Sequence, residues 1–187
     1  MIAILLAEGF EDIEALTPLD LFRRVGADVR PIGLTSRAPT GKCCGAQVSC
    51  PMTAEELLAS GERIEMLVLP GGLPGATNLD ASPLTHRLID KAESEGAFLT
   101  AICAAPFIYG KRGMLRGVRA TAFPDFRKYL TGAIIPENEN VVRDGRFITA
   151  AGMGAAFPFA CELVAALCGE ERAAQLARHE RYAPLRF

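Results

Sequence analysis

Three short apolar runs constrain this chain more than any other feature: "MIAILLA" (1–7), "EMLVLPGG" (65–72) and "AFLTAIC" (97–103). Each is too short to cross a membrane, and each lacks the alternation of a strand with one face in water. Segments of helical character follow them. After the first, Ile13, Leu16, Leu19 and Phe22 recur at helical spacing between Glu11 and Arg24, and Gly26 ends the run. Ahead of the second, "TAEELLAS" (53–60) reads as a short helix with Thr53 as cap and Glu56 at the third helical position. "SPLTHRLIDKAESEG" (82–96) places Ser82 as cap, Pro83 at the first helical position and Gly96 as the stop. Fully apolar strands separated by helices predict an α/β fold: a doubly wound, mainly parallel sheet with helices on both faces.

The remaining segments fit the same plan. "ADVRPIGL" (27–34) reads as a strand, "QVSCP" (47–51) as an edge strand or hairpin arm, and "RATA" (119–122) and "RFITAAG" (146–152) as further strands. "AAPFIYGKRG" (104–113) reads as a helix, and "AAFPFACELVAALCG" (155–169) as an apolar helix that must be buried. A chain of 187 residues, half of them hydrophobic and without linker, repeat or low-complexity tract, is expected to form a single domain over 1–187. The balance of 20 basic against 22 acidic residues supplies no field for nucleic acid and no polybasic patch for a membrane. The opening run, with no charged leader and "EGFEDIE" directly behind it, reads as neither signal peptide nor transmembrane span, so the expected compartment is the cytoplasm. Cys43, Cys44, Cys50, Cys103, Cys161 and Cys168 show no Cys-x-x-Cys pair and no Cys/His metal spacing, so free thiols are expected, without a metal.

In such a sheet the ligand site lies beyond the carboxyl ends of the strands, and three motifs sit there. "EGFEDIE" offers the carboxylates Glu11, Asp12 and Glu14; "LPGGLPGATNL" offers flexible backbone with free N–H groups; "AICAAP" places Cys103 where a strand turns into a helix. Unsatisfied N–H groups at a helix start favour a thiolate, and a sharp strand-to-helix turn holds the side chain out over the sheet. The N–H groups of Gly72 and Ala104 could then face a developing oxyanion. Taken singly, each motif has an ordinary structural explanation: a small buried thiol, glycine punctuation, dipole compensation. Cys50, Cys161 and Cys168 read as structural thiols, Cys43 and Cys44 as loop or edge-strand thiols, and His86 and His179 as solvated.

From "LLAEGFEDIEALTPLDLFRRVG" through "VLPGGLPGATNL", "AICAAP" and "ENENVVRDGRFITAAGMG" to "QLARHERYAPL", the chain resembles the ThiJ/PfpI superfamily. Within it, the likeness is to the group of the Parkinsonism-associated deglycase and its bacterial relatives. The resemblance implies a flavodoxin-like sandwich, a homodimer with Ile13 near its two-fold interface, a reactive Cys103, and a protonated Glu14 that donates a hydrogen bond to the sulfur. Departures carry information too. Ala104 stands where protease members have a His, and both amidotransferase signatures are absent, which argues against either activity. Phe123 replaces a His usual in the deglycase group, and Gly45 stands at the place of an expected Arg.

Two functions follow as expectations. One is glyoxalase or deglycase chemistry, in which the Cys103 thiolate adds to a small dicarbonyl such as methylglyoxal, Glu14 moves the proton and no cofactor takes part. The other is a non-catalytic oxidative-stress sensor or redox-regulated chaperone in which Cys103 is oxidised.

Overall fold

The computed structural model describes residues 1–182; residues 183–187, which include the end of the tail motif at 183–185, lie outside the described residues. Seven strands form one sheet: β1 (Ile2–Leu6), β2 (Val29–Gly33), β3 (Met52–Thr53), β4 (Met66–Leu69), β5 (Phe98–Ile102), β6 (Val141–Asp144) and β7 (Phe147–Ala150), in the order β3-β2-β1-β4-β5-β7-β6. All neighbours are parallel except β6 and β7.

Side chains along β1 alternate between two cores. Ile2, Ile4 and Leu6 join one, with α1 (Asp12–Arg24), α6 (Ala156–Cys168) and α7 (Glu170–His179). Ala3, Leu5 and Ala7 join the other, under α2 (Ala54–Ser60), α3 (Gly75–Ala81), α4 (Pro83–Ser94) and α5 (Pro106–Lys111). Both faces are therefore dry, which is why the central strands are apolar throughout. β1 is flanked by β2 on one side and β4 on the other, so the chain reverses its direction of travel across the sheet at β1. The loops after β1 and β4 meet there, with the Glu11 N–H donating to the Gly71 carbonyl at 3.0 Å and the Gly75 N–H to the Gly9 carbonyl at 3.1 Å, at the switch point where ligands of such sheets bind.

Several local expectations need correction. "QVSCP" is not a strand: Gln47 makes one isolated bridge to Thr40, and the edge strand is the two-residue β3 immediately downstream. "RATA" is likewise extended, with a single bridge from Arg119 to Ile134. In both places extended backbone lacks a neighbour to complete a ladder, and that neighbour is a tertiary property. "PGATNL" is not open loop, because Gly75–Ala81 is helical. β6 forms a hairpin with β7 through the two-residue turn of Gly145 and Arg146, where Gly145 takes the positive φ, +56°, that such tight turns require. The expected burial of "AAFPFACELVAALCG" holds for one side of α6; Phe157, Cys161, Ala165 and Cys168 are half-exposed. His86 is half-buried rather than solvated, with Nε2 on the Asp80 carbonyl at 2.8 Å and Arg112 against Nδ1 at 3.1 Å.

The Thr53 cap forms as expected, with Glu56 closing the reciprocal bond. The start of α3 passes so close to the loop after β1 that a Cβ on Gly75 would lie 2.7 Å from the Gly9 oxygen and from the Phe10 backbone. Gly75→Ala is expected to cost about 1–3 kcal/mol by overpacking two backbones that cannot yield like a side chain. Urea unfolding beside the native protein measures it.

Candidate functional site

Three strand ends converge on one cavity of about 290 Å³, whose lining includes Glu11, Glu14, Gly72, Cys103, Ala104 and Phe123. β5 delivers the thiol. Its chain turns at Cys103, which has φ +63°, a left-handed conformation that costs a side-chain-bearing residue about 1–2 kcal/mol. The strain is held by the Cys103 N–H donating to the Ala150 carbonyl and the Phe123 N–H donating to the Cys103 carbonyl, both at 2.8 Å. The expected sharp turn is therefore present. α5 begins three residues later, at Pro106, so its dipole acts on the sulfur from farther away than the sequence suggested.

The acidic motif divides its work in a way that spacing could not reveal. Glu11 caps α1, accepting from the Glu14 N–H at 2.7 Å. Asp12 is buried and holds the neighbouring loop: its Oδ2 accepts from the Cys43 N–H at 2.9 Å and from the Cys44 N–H at 3.4 Å. Glu14 points inward, fully buried, and its Oε2 accepts from the Gly71 N–H at 2.9 Å. Its Oε1 has no partner of ordinary geometry, and the Cys103 thiol is the neighbour placed to bond this carboxyl. Gly71 lies against both reactive groups. A Cβ there would sit 2.6 Å from Glu14 Oε2 and 2.8 Å from Cys103 Cβ, so any side chain would drive them apart.

Burial first, and then the charge of Glu11, push the Glu14 carboxyl up from 4.5 to about 7. The thiol moves opposite to the helix-based expectation: burial and the adjacent Glu14 charge push Cys103 up to about 12, although the Ala104 and Gly72 N–H groups donate to it. Two anions in one poorly solvated contact repel, so the first proton leaves the pair near neutrality, from Glu14, and the second is retained. The resemblance implies a protonated Glu14 that donates to the sulfur; here the hydrogen bond lowers the carboxyl's pKa and raises the thiol's, so the thiol is the donor and the carboxyl is protonated only below about pH 7. Both backbone amides expected at an oxyanion site face the sulfur.

Other thiols differ in setting. Cys43 and Cys44 lie exposed on the loop that Asp12 holds, with Cys43 lining the cavity, while Cys50 is buried. Glu11, Asp12 and Cys43 place ligand atoms within 4.8 Å of one another, the one such group among the described residues; Asp12 Oδ2 there is already engaged by two amides. Phe123 is 43% exposed at the cavity mouth, and Gly45 stands in the exposed loop. No described helix is long and apolar enough to cross a membrane.

A strained cysteine elbow at the crevice of a doubly wound sheet, paired with a buried carboxyl, defines a class of flavodoxin-like cysteine proteins. The model of the DJ-1/PfpI family matches residues 1–166, and the chain belongs to that family. It is 33% identical over 176 residues to protein dj-1beta of Drosophila melanogaster, covering 94% of this chain and 93% of the relative. It is 28% identical over 172 residues to the glutathione-independent glyoxalase DJR-1.2 of Caenorhabditis elegans, covering 91% and 90%. The crystal structure of a cysteine-to-alanine mutant of a DJ-1 superfamily protein from Salmonella typhimurium superposes with a TM-score of 0.90 at 31% identity, covering 97% and 98%.

Proposed function

We propose that the protein is a cofactor-independent glyoxalase-type enzyme that converts 2-oxoaldehydes such as methylglyoxal to 2-hydroxy acids, with Cys103 as nucleophile and Glu14 as the proton carrier. The observation that carries this reading is the contact of Glu14 with Cys103 across Gly71, with a carboxyl that titrates near neutrality. The glyoxalase among the relatives supports it.

In the proposed sequence the Glu14 carboxylate takes the thiol proton as sulfur bonds to the aldehyde carbon. The oxygen that gains charge is met by the N–H groups of Gly72 and Ala104 and takes the proton, completing a hemithioacetal. Glu14 then removes the proton from that carbon, forming an enediolate, and returns it to the adjacent carbon, while the hydroxyl proton passes from the first oxygen to the second. The product is a thioester, which water hydrolyses to the hydroxy acid, freeing the thiol. Deglycase-type action would enter the same chemistry from a hemiaminal or hemithioacetal of the same dicarbonyl, the amine or thiol leaving with a proton as the Cys103 sulfur takes its place. Phe123 supplies no proton, so the proton work falls to Glu14. Lactate formation from methylglyoxal by the native protein, absent in Cys103→Ser, is the expected result; equal formation by both would overturn the reading.

A second reading, a redox sensor or redox-regulated chaperone, is favoured by the partial exposure of Cys103 at the cavity. A hydroperoxide would convert its thiol to sulfenic acid with loss of water or alcohol, and a second equivalent would give sulfinic acid. The chain is 26% identical to an oxidized DJ-1 of Toxoplasma gondii, at a TM-score of 0.90 and covering 97% and 98%. Steady turnover of a dicarbonyl separates the two readings.

The proposed assembly is a cytoplasmic homodimer. Ile13 and Leu16 on α1 are 47% and 36% exposed, beside the half-exposed side of α6, and a two-fold contact would cover them. Light scattering at micromolar concentration is expected to give twice the chain mass, falling to one chain mass in Ile13→Asp; a native monomer would refute the dimer.

A further inference from the structure

The walls of the cavity are poorly matched to methylglyoxal. Leu73, Phe123 and Met153 surround its mouth at 41%, 43% and 55% exposure, and Phe126 completes the apolar lining. Exposed apolar side chains gathered around a reactive group are the surface a ligand covers, whereas isolated ones need no explanation. A single methyl group covers little of it.

The wall is also preorganised. The Phe123 N–H is tied to the Cys103 carbonyl at 2.8 Å, so the ring is anchored to the elbow that carries the thiol. Its edge rests over Gly152, where a Cβ would lie 3.5 Å from Phe123 Cδ2. Phe126 is held from behind by Phe107 and Tyr129, with ring centroids 5.6 and 6.1 Å away. Phe126 and the backbone that carries Phe123 are thus set in folding, which lowers the entropic cost of seating a ligand against them. The cavity, at about 290 Å³, has room for a ring beside the thiol.

Resting on the proposed reading of the same site, we infer that its substrates are 2-oxoaldehydes bearing an aromatic or bulky apolar substituent, arylglyoxals before methylglyoxal, with Phe123 and Met153 as the side chains that set this preference. The reacting carbons would lie over Cys103 and Glu14 as before, and the substituent would lie against Phe123, Phe126, Met153 and Leu73. The chemistry is unchanged: phenylglyoxal and water give mandelate by the steps that convert methylglyoxal and water to lactate.

Occupancy can be read without turnover. Two neutral, unreactive analogues, 2-hydroxyacetophenone and hydroxyacetone, are compared for their ability to slow alkylation of Cys103 by iodoacetamide, followed by peptide mass spectrometry. The aryl analogue is expected to half-protect at a concentration at least about tenfold lower, the effect of extra apolar groups in a hydrophobic pocket. In Phe123→Ser and Met153→Ser, both changes at exposed side chains, the advantage is expected to fall below about threefold. Equal protection by the two analogues, or an advantage unchanged in both variants, would overturn the inference; a second copy covering these side chains would produce the first of these. Product assays then separate this inference from the reading beneath it. No mandelate and no lactate with the protection ratio intact refutes the enzyme and leaves the ligand class. Both products at equal kcat/KM, with equal protection, refutes the ligand class and leaves the enzyme.

Discussion

Between about pH 4 and about pH 8, the stability of Glu14→Gln relative to the native protein is expected to swing by about 3 kcal/mol in the variant's favour. The native carboxyl titrates at about 7 in the fold against 4.5 for the free group. The folded state therefore holds this proton more tightly than the unfolded chain. The stability so gained is complete below about 4.5 and is lost as the pH rises through about 7, because an ionised Glu14 is a buried anion beside Glu11. Glutamine stays neutral throughout and shows no such loss. Cys103 adds nothing to this window, since its thiol is pushed from 9.0 to about 12 and stays protonated in both states. Chemical denaturation of both proteins at the two pH values measures the swing. A constant gap would mean that Glu14 ionises in the fold without penalty.

The proton that sets stability is also expected to set activity. On the proposed mechanism Glu14 must be ionised to take the thiol proton, so kcat/KM for a 2-oxoaldehyde should rise with pH through about 7 and level off above it. Glu14→Gln should lose a factor of about 10² to 10⁴ and with it the inflection, because the amide cannot accept the proton. Cys103→Ser should lose turnover altogether. Rate profiles of the three proteins decide the matter. An inflection that survives in Glu14→Gln would assign the titrating group elsewhere. On that mechanism the native protein is expected to be most active where its Glu14 contribution to stability has been lost, as happens when a functional group is kept in a site that disfavours its charge.

The parallel sheet and its elbow were legible in the chain because their signals are local. "MIAILLA" and "AFLTAIC" carry two dry faces in their own composition, and Cys103 follows the second directly. Thr53 and Glu56 likewise announce a helix start through a bond that spans three residues. Strands at the periphery were less legible. "QVSCP" and "RATA" have strand-like residues but no partner along their length, while β3 is an edge strand two residues long. The helix at Gly75–Ala81 was hidden by the glycines and prolines before it, which spacing reads as loop.

At the site the division is sharper. The sequence by itself determined that carboxylates, open backbone amides and a thiol would each stand at the end of a parallel strand. Spacing could not distinguish among Glu11, Asp12 and Glu14, and only the family resemblance singled out Glu14, because three carboxylates within one helical turn look alike until the loops around them are placed. The tertiary structure made the first a helix cap, the second an anchor for the loop at Cys43, and the third the partner of Cys103. It also decided the sign of the thiol shift. A helix start favours a thiolate through a short-range dipole, but desolvation and a neighbouring anion act more strongly on a half-buried sulfur, and both exist only once three strand ends have been brought together around Gly71.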